Sequence, residues 1–220
     1  VFSLLLKDLL PQLKLRFTWF SPLFVALGCL LCHQGSAWAY FILFIPTYYL
    51  VIYADSYDYK FNQEHFFLSC PIARWQWVLS KYALPLISLV LTVALAFIIG
   101  WIGGLLGAPL SIPSPGTLSL LLVTTALYLG VYFPFTFKLG YGKSRWVNFI
   151  AIAIGGAIAG STVAVQEQLA LPQGGYSLSG IMAHVLRGSS LSLLWLALVS
   201  LIILTVSFFI SSALFRRREF

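Results

Sequence analysis

Residues 69–82 read SCPIARWQWVLSKY, a polar and aromatic stretch set between two long apolar runs. Pro71 suits the first turn of a helix, where its missing N–H costs nothing, and Ser69 or Cys70 stands where a cap belongs. Helical spacing puts Ile72, Trp75 and Leu79 on one face and Arg74 and Lys81 on another. The stretch is too short and too charged to cross a bilayer. The spacing therefore predicts a short helix over about 70–81, displayed to a partner.

The surrounding chain is built for lipid. Of its 220 residues 60% are hydrophobic and 9% charged, with a mean hydropathy of +0.93, whereas a soluble domain carries about 25% charged residues. The formal charge of +7 is scattered between apolar runs, without the single basic stripe that groove binding needs, so nucleic acid is not an expected partner. Cys29, Cys32 and Cys70 cannot make a disulfide framework. Cys29 and Cys32 form a CxxC inside an apolar run without a full set of ligands nearby, and no metal is expected. The first residues lack the ordered regions of a cleavable signal peptide.

Residues 1–16 place Leu5, Leu9 and Leu13 at helical spacing, with Lys7, Asp8, Lys14 and Arg16 among the polar positions, which predicts an amphipathic interfacial helix bent near Pro11. Six apolar spans follow, at about 17–34, 37–54, 82–107, 117–136, 147–165 and 190–214, each near the ~20 residues that cross a bilayer. Trp19, Trp38, Tyr40, Trp101, Tyr128, Trp146 and Trp195 lie toward span ends, as an aromatic belt would. With the N-terminus in the cytoplasm, the inner segments hold Lys7, Lys14, Arg16, Lys60, Arg74, Lys81, Lys138, Lys143, Arg145, Arg216, Arg217 and Arg218, and the outer segments hold only Arg187. Cations collect on the cytoplasmic side of membrane proteins, so both termini and the 70–81 helix are expected there, with 216–220 as a cytoplasmic tail. The expected fold is an all-α integral membrane protein, with residues 17–215 forming one six-helix transmembrane domain.

Gly100 with Gly104, and Gly156 with Gly160, make small-xxx-small faces where helices approach closely within the fold or across a dimer. The outer segment 108–116, with Pro109, Pro113 and Pro115, is expected to be a stiff turn, and 166–189 includes a second surface-helix candidate at 178–186.

Chemistry is sparse. The span cores contain no Asp, Glu, Lys or Arg, no HExxH, GxSxG or paired carboxylates occur, and the histidines form no evident site. Asp55 and Asp58 are read as solvated charge at a span end. Gly142-Lys143-Ser144 has the ending of a phosphate loop, but Phe137 stands where its first glycine is required, so this chain is not expected to bind ATP.

These residues resemble the membrane subunits of ABC-2-type transporters, in the small six-span branch of bacterial exporters. Glu64 and the following FFLSCPIARWQWVLSKY are similar to that family's cytoplasmic coupling helix, with Ser69, Pro71, Ile72, Arg74, Val78, Ser80, Lys81 and Tyr82 matching, Cys70 in place of the usual Leu, and Trp75 and Trp77 bulkier than is typical. YFPFTFKLGYGKSR at 132–145 resembles the end of its fourth span, and Lys7-Asp8-Leu9 fits its opening surface helix.

The resemblance implies an ATP-driven exporter permease of the bacterial inner membrane, with no catalytic residues or cofactor of its own. ATP and Mg would be bound by a separate ATP-binding subunit. Pro71, Ile72, Arg74, Trp75, Gln76 and Val78 are the expected contacts with that subunit, Arg74 and Trp75 foremost, and Lys138, Tyr141, Lys143 and Arg145 are second contact candidates. A second permease copy or close relative and membrane lipid are the other expected partners, with peptide, antibiotic or lipid as the cargo. The alternatives are an ATP-independent carrier or channel and a non-transporting membrane anchor.

Overall fold

The computed structural model describes residues 7, 16–34, 36, 38–61, 74–142, 146–150, 152–153 and 190–217. Five long helices carry the fold: α1 (Arg16–His33), α2 (Ala39–Lys60), α3 (Arg74–Leu106), α4 (Pro115–Leu139) and α5 (Ser190–Arg217). Four of them are long and apolar enough to cross a membrane, and Phe20–His33 in α1 is a shorter apolar helix. The expected fifth span at 147–165 lies outside the described residues, apart from 147–150 and 152–153, which are helical.

The helices run α1 up, α2 down, α3 up, and then α4 and α5 down side by side. Lys81 near the start of α3 meets Asp55 and Asp58 near the end of α2, and Ser88 reaches Thr47 a few turns on, so α2 and α3 are antiparallel. Gly130 abuts Ile203 and Phe137 packs on Phe215, so α4 and α5 are parallel. Lys60, Arg74, Lys81, Lys138 and Arg216 therefore collect at one end of the bundle, hereafter the basic end. After α4 the chain turns back along it, since the Tyr128 hydroxyl donates to Asn148 Oδ1 at 3.2 Å.

The structure departs from the expected boundary between a short helix at 70–81 and a span beginning at 82. α3 runs unbroken for 33 residues. The drop in hydropathy there marks where lipid ends and does not end a helix, because no glycine or proline intervenes between Arg74 and Leu84. Pro85 removes one rung, the bond to the Lys81 carbonyl, and the helix continues past it. At 1.5 Å per residue α3 is about 50 Å long, well beyond the ~30 Å of hydrocarbon. Its charged start is thus continuous with the span, in one helix longer than a crossing needs.

At the opposite end, residues 107–114 fold back onto the helices. Gly107, at φ 65°, ends α3 in the left-handed region that favours glycine, and the Ser111 N–H donates to the Cys29 carbonyl at 3.3 Å. The Ser114 side chain then caps α4 through the Thr117 N–H, with Pro115 in the first turn.

Gly100 and Gly103 make room for this turn. A Cβ at Gly100 would lie 2.9 Å from the Ile112 Cα, and one at Gly103 would lie 2.5 Å from the Leu110 Cβ. Among the described residues Gly104 has nothing within 4 Å, so they do not use the expected Gly100/Gly104 pair as a helix-packing face. Gly156 and Gly160 lie outside the described residues. The glycines that let helices approach are Gly28, against Leu43, and Gly130, against Ile203. We expect Gly100→Ala to destabilise the detergent-solubilised protein by about 1–3 kcal/mol, as overpacking against fixed backbone does. Gly104→Ala, with open space around it, should leave the thermal midpoint unchanged.

Trp38, Trp101, Trp146 and Trp195 are exposed, as a belt requires. Tyr40 and Tyr128 are buried, contrary to the belt expectation. Tyr128 stacks on Tyr132 and meets Phe44 and Tyr48 edge-on, and these rings fill the space between α2 and α4.

Candidate functional site at the basic end

The helical stripe that faces inward on α2 runs Phe44, Thr47, Val51, Asp55, Asp58, with both carboxylates continuing the buried face. On α3 the matching stripe runs Trp77, Lys81, Leu84, Ser88, Thr92, Ala96. Packing the two together forces charge into the core. Asp55, Asp58 and Lys81 are 7%, 7% and 5% exposed. The expectation of solvated aspartates at a span end is thus overturned, because the face they occupy is the one α3 covers.

Buried charge is tolerated only when paired and hydrogen-bonded, and this cluster meets that condition. Lys81 Nζ donates to Asp55 Oδ1 at 3.1 Å and to Asp58 Oδ2. The Tyr132 hydroxyl of α4 donates to Asp55 Oδ2 at 2.7 Å. Lys7, from the N-terminal segment, donates to Asp58 Oδ1 at 2.8 Å. The Trp77 ring has the Lys7 ammonium 4.6 Å and the Lys81 ammonium 5.5 Å from its centroid, an attraction between each cation and the ring's negative face. Two ammoniums and two carboxylates thus interlock three elements besides α3.

The next residue extends the clamp to α5. The Tyr82 hydroxyl lies 2.6 Å from Ser207 Oγ and 2.9 Å from Ser211 Oγ. Ser207 gives its only proton to the Gly130 carbonyl, at 3.1 Å. Tyr82 therefore donates to Ser207 and accepts from Ser211. Its ring also packs on Phe133 and Phe208.

The stretch 69–82 therefore divides by direction. Residues 77–82 face inward, and Val78, expected to touch a partner, is fully buried at 0% exposed. Its helical position falls on the covered stripe next to Trp77, which leaves it no surface to offer. Trp75 is 44% exposed, Arg74 is exposed and Gln76 is half-buried. Arg74 Nη1 also donates to the Arg216 carbonyl at 2.9 Å, a cation on the last turn of α5, where the helix dipole favours it. Pro71 and Ile72 lie outside the described residues.

Of the second group, Lys138 is exposed, and Tyr141 packs at a tilt against Tyr59 with ring centroids 5.4 Å apart, beside the end of α2. Lys143 and Arg145 lie outside the described residues. Gly140, at φ 77°, ends α4 with its N–H on the Thr136 carbonyl, so the glycine of the Lys138–Tyr141 motif is a helix stop. The buried Cys29 thiol donates to the Ala96 carbonyl at 3.5 Å. Among the described residues no group of three or more His, Cys, Asp or Glu is placed to hold a metal.

The basic end thus presents exposed Arg74, Trp75 and Lys138 over a buried, fully paired charge cluster. A family model described as "ABC-2 family transporter protein" matches residues 3–216. No curated protein and no solved structure is similar to the chain.

Proposed function

This chain belongs to the ABC-2 transporter family, and from that premise we propose that it is the permease of an ATP-driven exporter whose basic end lies in the cytoplasm and docks on a separate ATP-binding subunit. The single observation that carries this reading is the unbroken α3. Its exposed first turn, Arg74 and Trp75, belongs to the same helix as a membrane span, so a push on one end moves the other. A loop in that place would absorb the push. The parallel run of α4 and α5 supports a fifth crossing between them, and hence six spans with both termini on one side.

The buried ion pairs bear on the alternative of a coupled carrier, because ionisable groups inside a membrane protein often mark ion pathways. Here both carboxylates are already matched by ammonium and hydroxyl donors. Asp55 also stands five residues from the end of α2, about 8 Å along the axis, whereas transporter ion sites lie near the midplane. That favours a mechanical joint over an ion site. The expected setting is the cytoplasmic membrane of a bacterium, with a second permease copy or close relative completing the pathway.

Side-specific labelling tests the orientation on which this depends. In a chain with Cys29, Cys32 and Cys70 replaced by alanine, Gly142→Cys should react with a membrane-impermeant maleimide only in inside-out vesicles, and Leu106→Cys only in intact cells. Both positions are exposed, and a Cβ at Gly142 makes only ordinary contact with Tyr59. The opposite pattern would put Arg74 and Trp75 outside, where no ATPase reaches them.

A further inference from the structure

On that reading of the chain as an ATP-driven permease, we infer that Lys7 is a positioning residue of the transmission step. It closes the charge cluster beneath the docking turn and is itself part of the moving joint. The observation is a count of charges at one place. Asp55 and Asp58 both reach Lys81, and among the described residues one ammonium shared by two buried carboxylates leaves negative charge in excess. Lys7 supplies the second ammonium, bonded to the far oxygen of Asp58.

With Lys7 in place, Lys81 is held between both aspartates and α3 is pinned to α2. Asp55 passes the connection to α4 through Tyr132. Both ammoniums also lie near the Trp77 ring, which adds a cation–π attraction for each. Lys81 lies seven residues beyond Arg74, about 10 Å along α3. A displacement of the docking turn thus meets the cluster within about two turns of α3.

Lys7 is the separable member. It is partly exposed, with 20% of its side chain accessible, whereas the side chain of Lys81 is 6% accessible. Without Lys7, Asp58 keeps Lys81, so the fold survives while the pin between α2 and α3 loosens. Movement of the docking turn is then spent on sliding α3 against α2.

The test needs no cargo. The complex with the ATP-binding subunit is prepared with the native cysteines replaced and Trp38→Cys at the far end of α2, where the side chain is exposed, and maleimide labelling is timed in the ATP-free and the ATP-vanadate-trapped states. In Lys7→Gln the nucleotide-induced change in labelling rate should shrink by about fivefold or more, with the ATP-binding subunit still bound, whereas Lys7→Arg should stay within about twofold of wild type, the scale set by ordinary coupling between distant sites.

A nucleotide response in Lys7→Gln equal to wild type would overturn the inference, and so would release of the ATP-binding subunit by Lys7→Gln, which would make Lys7 an assembly residue. A wild-type complex whose Trp38→Cys ignores nucleotide overturns it too, since the joint then passes no movement from α3 to α2. Failure of the wild-type chain to hold any ATP-binding subunit is seen before variants are compared, and it removes the permease reading and the joint together.

Discussion

Lys81→Met is expected to destabilise the protein by about 3–5 kcal/mol, the cost of stranding a buried charge, and most of the chain should fail to accumulate in a folded form. Methionine keeps the length of the side chain but leaves Asp55 with only the Tyr132 hydroxyl and Asp58 with only Lys7 among the partners described here. The loss comes from the carboxylates that remain. Lys81→Met combined with Asp55→Asn should therefore be more stable than the sum of the two single changes, because the asparagine Oδ1 still accepts from Tyr132 and Lys7 still balances Asp58. Thermal midpoints of the detergent-solubilised protein by size-exclusion chromatography check this. A single variant as stable as wild type would mean that the cluster bears little of the fold.

Trp75→Ala should weaken the hold on the ATP-binding subunit by about 2 kcal/mol or more, or roughly thirtyfold in Kd, the scale of an aromatic anchor at an interface. Trp75 is the informative choice because its side chain is 44% exposed on the first turn of α3, so its removal leaves no cavity in the core. Arg74→Glu should weaken binding as well, but it also unties α3 from the Arg216 carbonyl at the end of α5 and mixes two effects. Val78→Ala should act on stability alone, since Val78 has no exposed surface. Titration of the purified subunits against one another separates the three.

Much of the architecture could be read from hydropathy and charge. Apolar runs gave the helices, and the cations, placed by the positive-inside rule on one side, do gather at one end of the bundle among the described residues. What could not be read that way was which face each charge occupied. Asp55 and Asp58 end a hydropathic run, and hydropathy alone treats them as solvated. Their spacing from Thr47 and Val51 continues the buried face, and following the helical period past the end of the apolar run would have shown it. Lys81 is the same case on α3. Trp77, Lys7 and Tyr132 were out of reach, because their roles depend on tertiary contacts between segments 51 and 77 residues apart. Motif spacing in the glycines likewise does not tell what each one faces. Gly100 and Gly104 have motif spacing, yet only Gly100 is packed, and it packs on a turn.

The central claim is that an ATP-binding subunit drives this chain from its basic end. Its most direct test is to capture the tagged full-length chain from its native membranes in mild detergent and identify what hydrolyses nucleotide in the purified material. The account predicts a separate ATP-binding protein in equal amount with the permease, retained by wild type and lost on washing from Trp75→Ala. A wild-type chain that comes away alone, or an ATPase held equally well by Trp75→Ala, would contradict it.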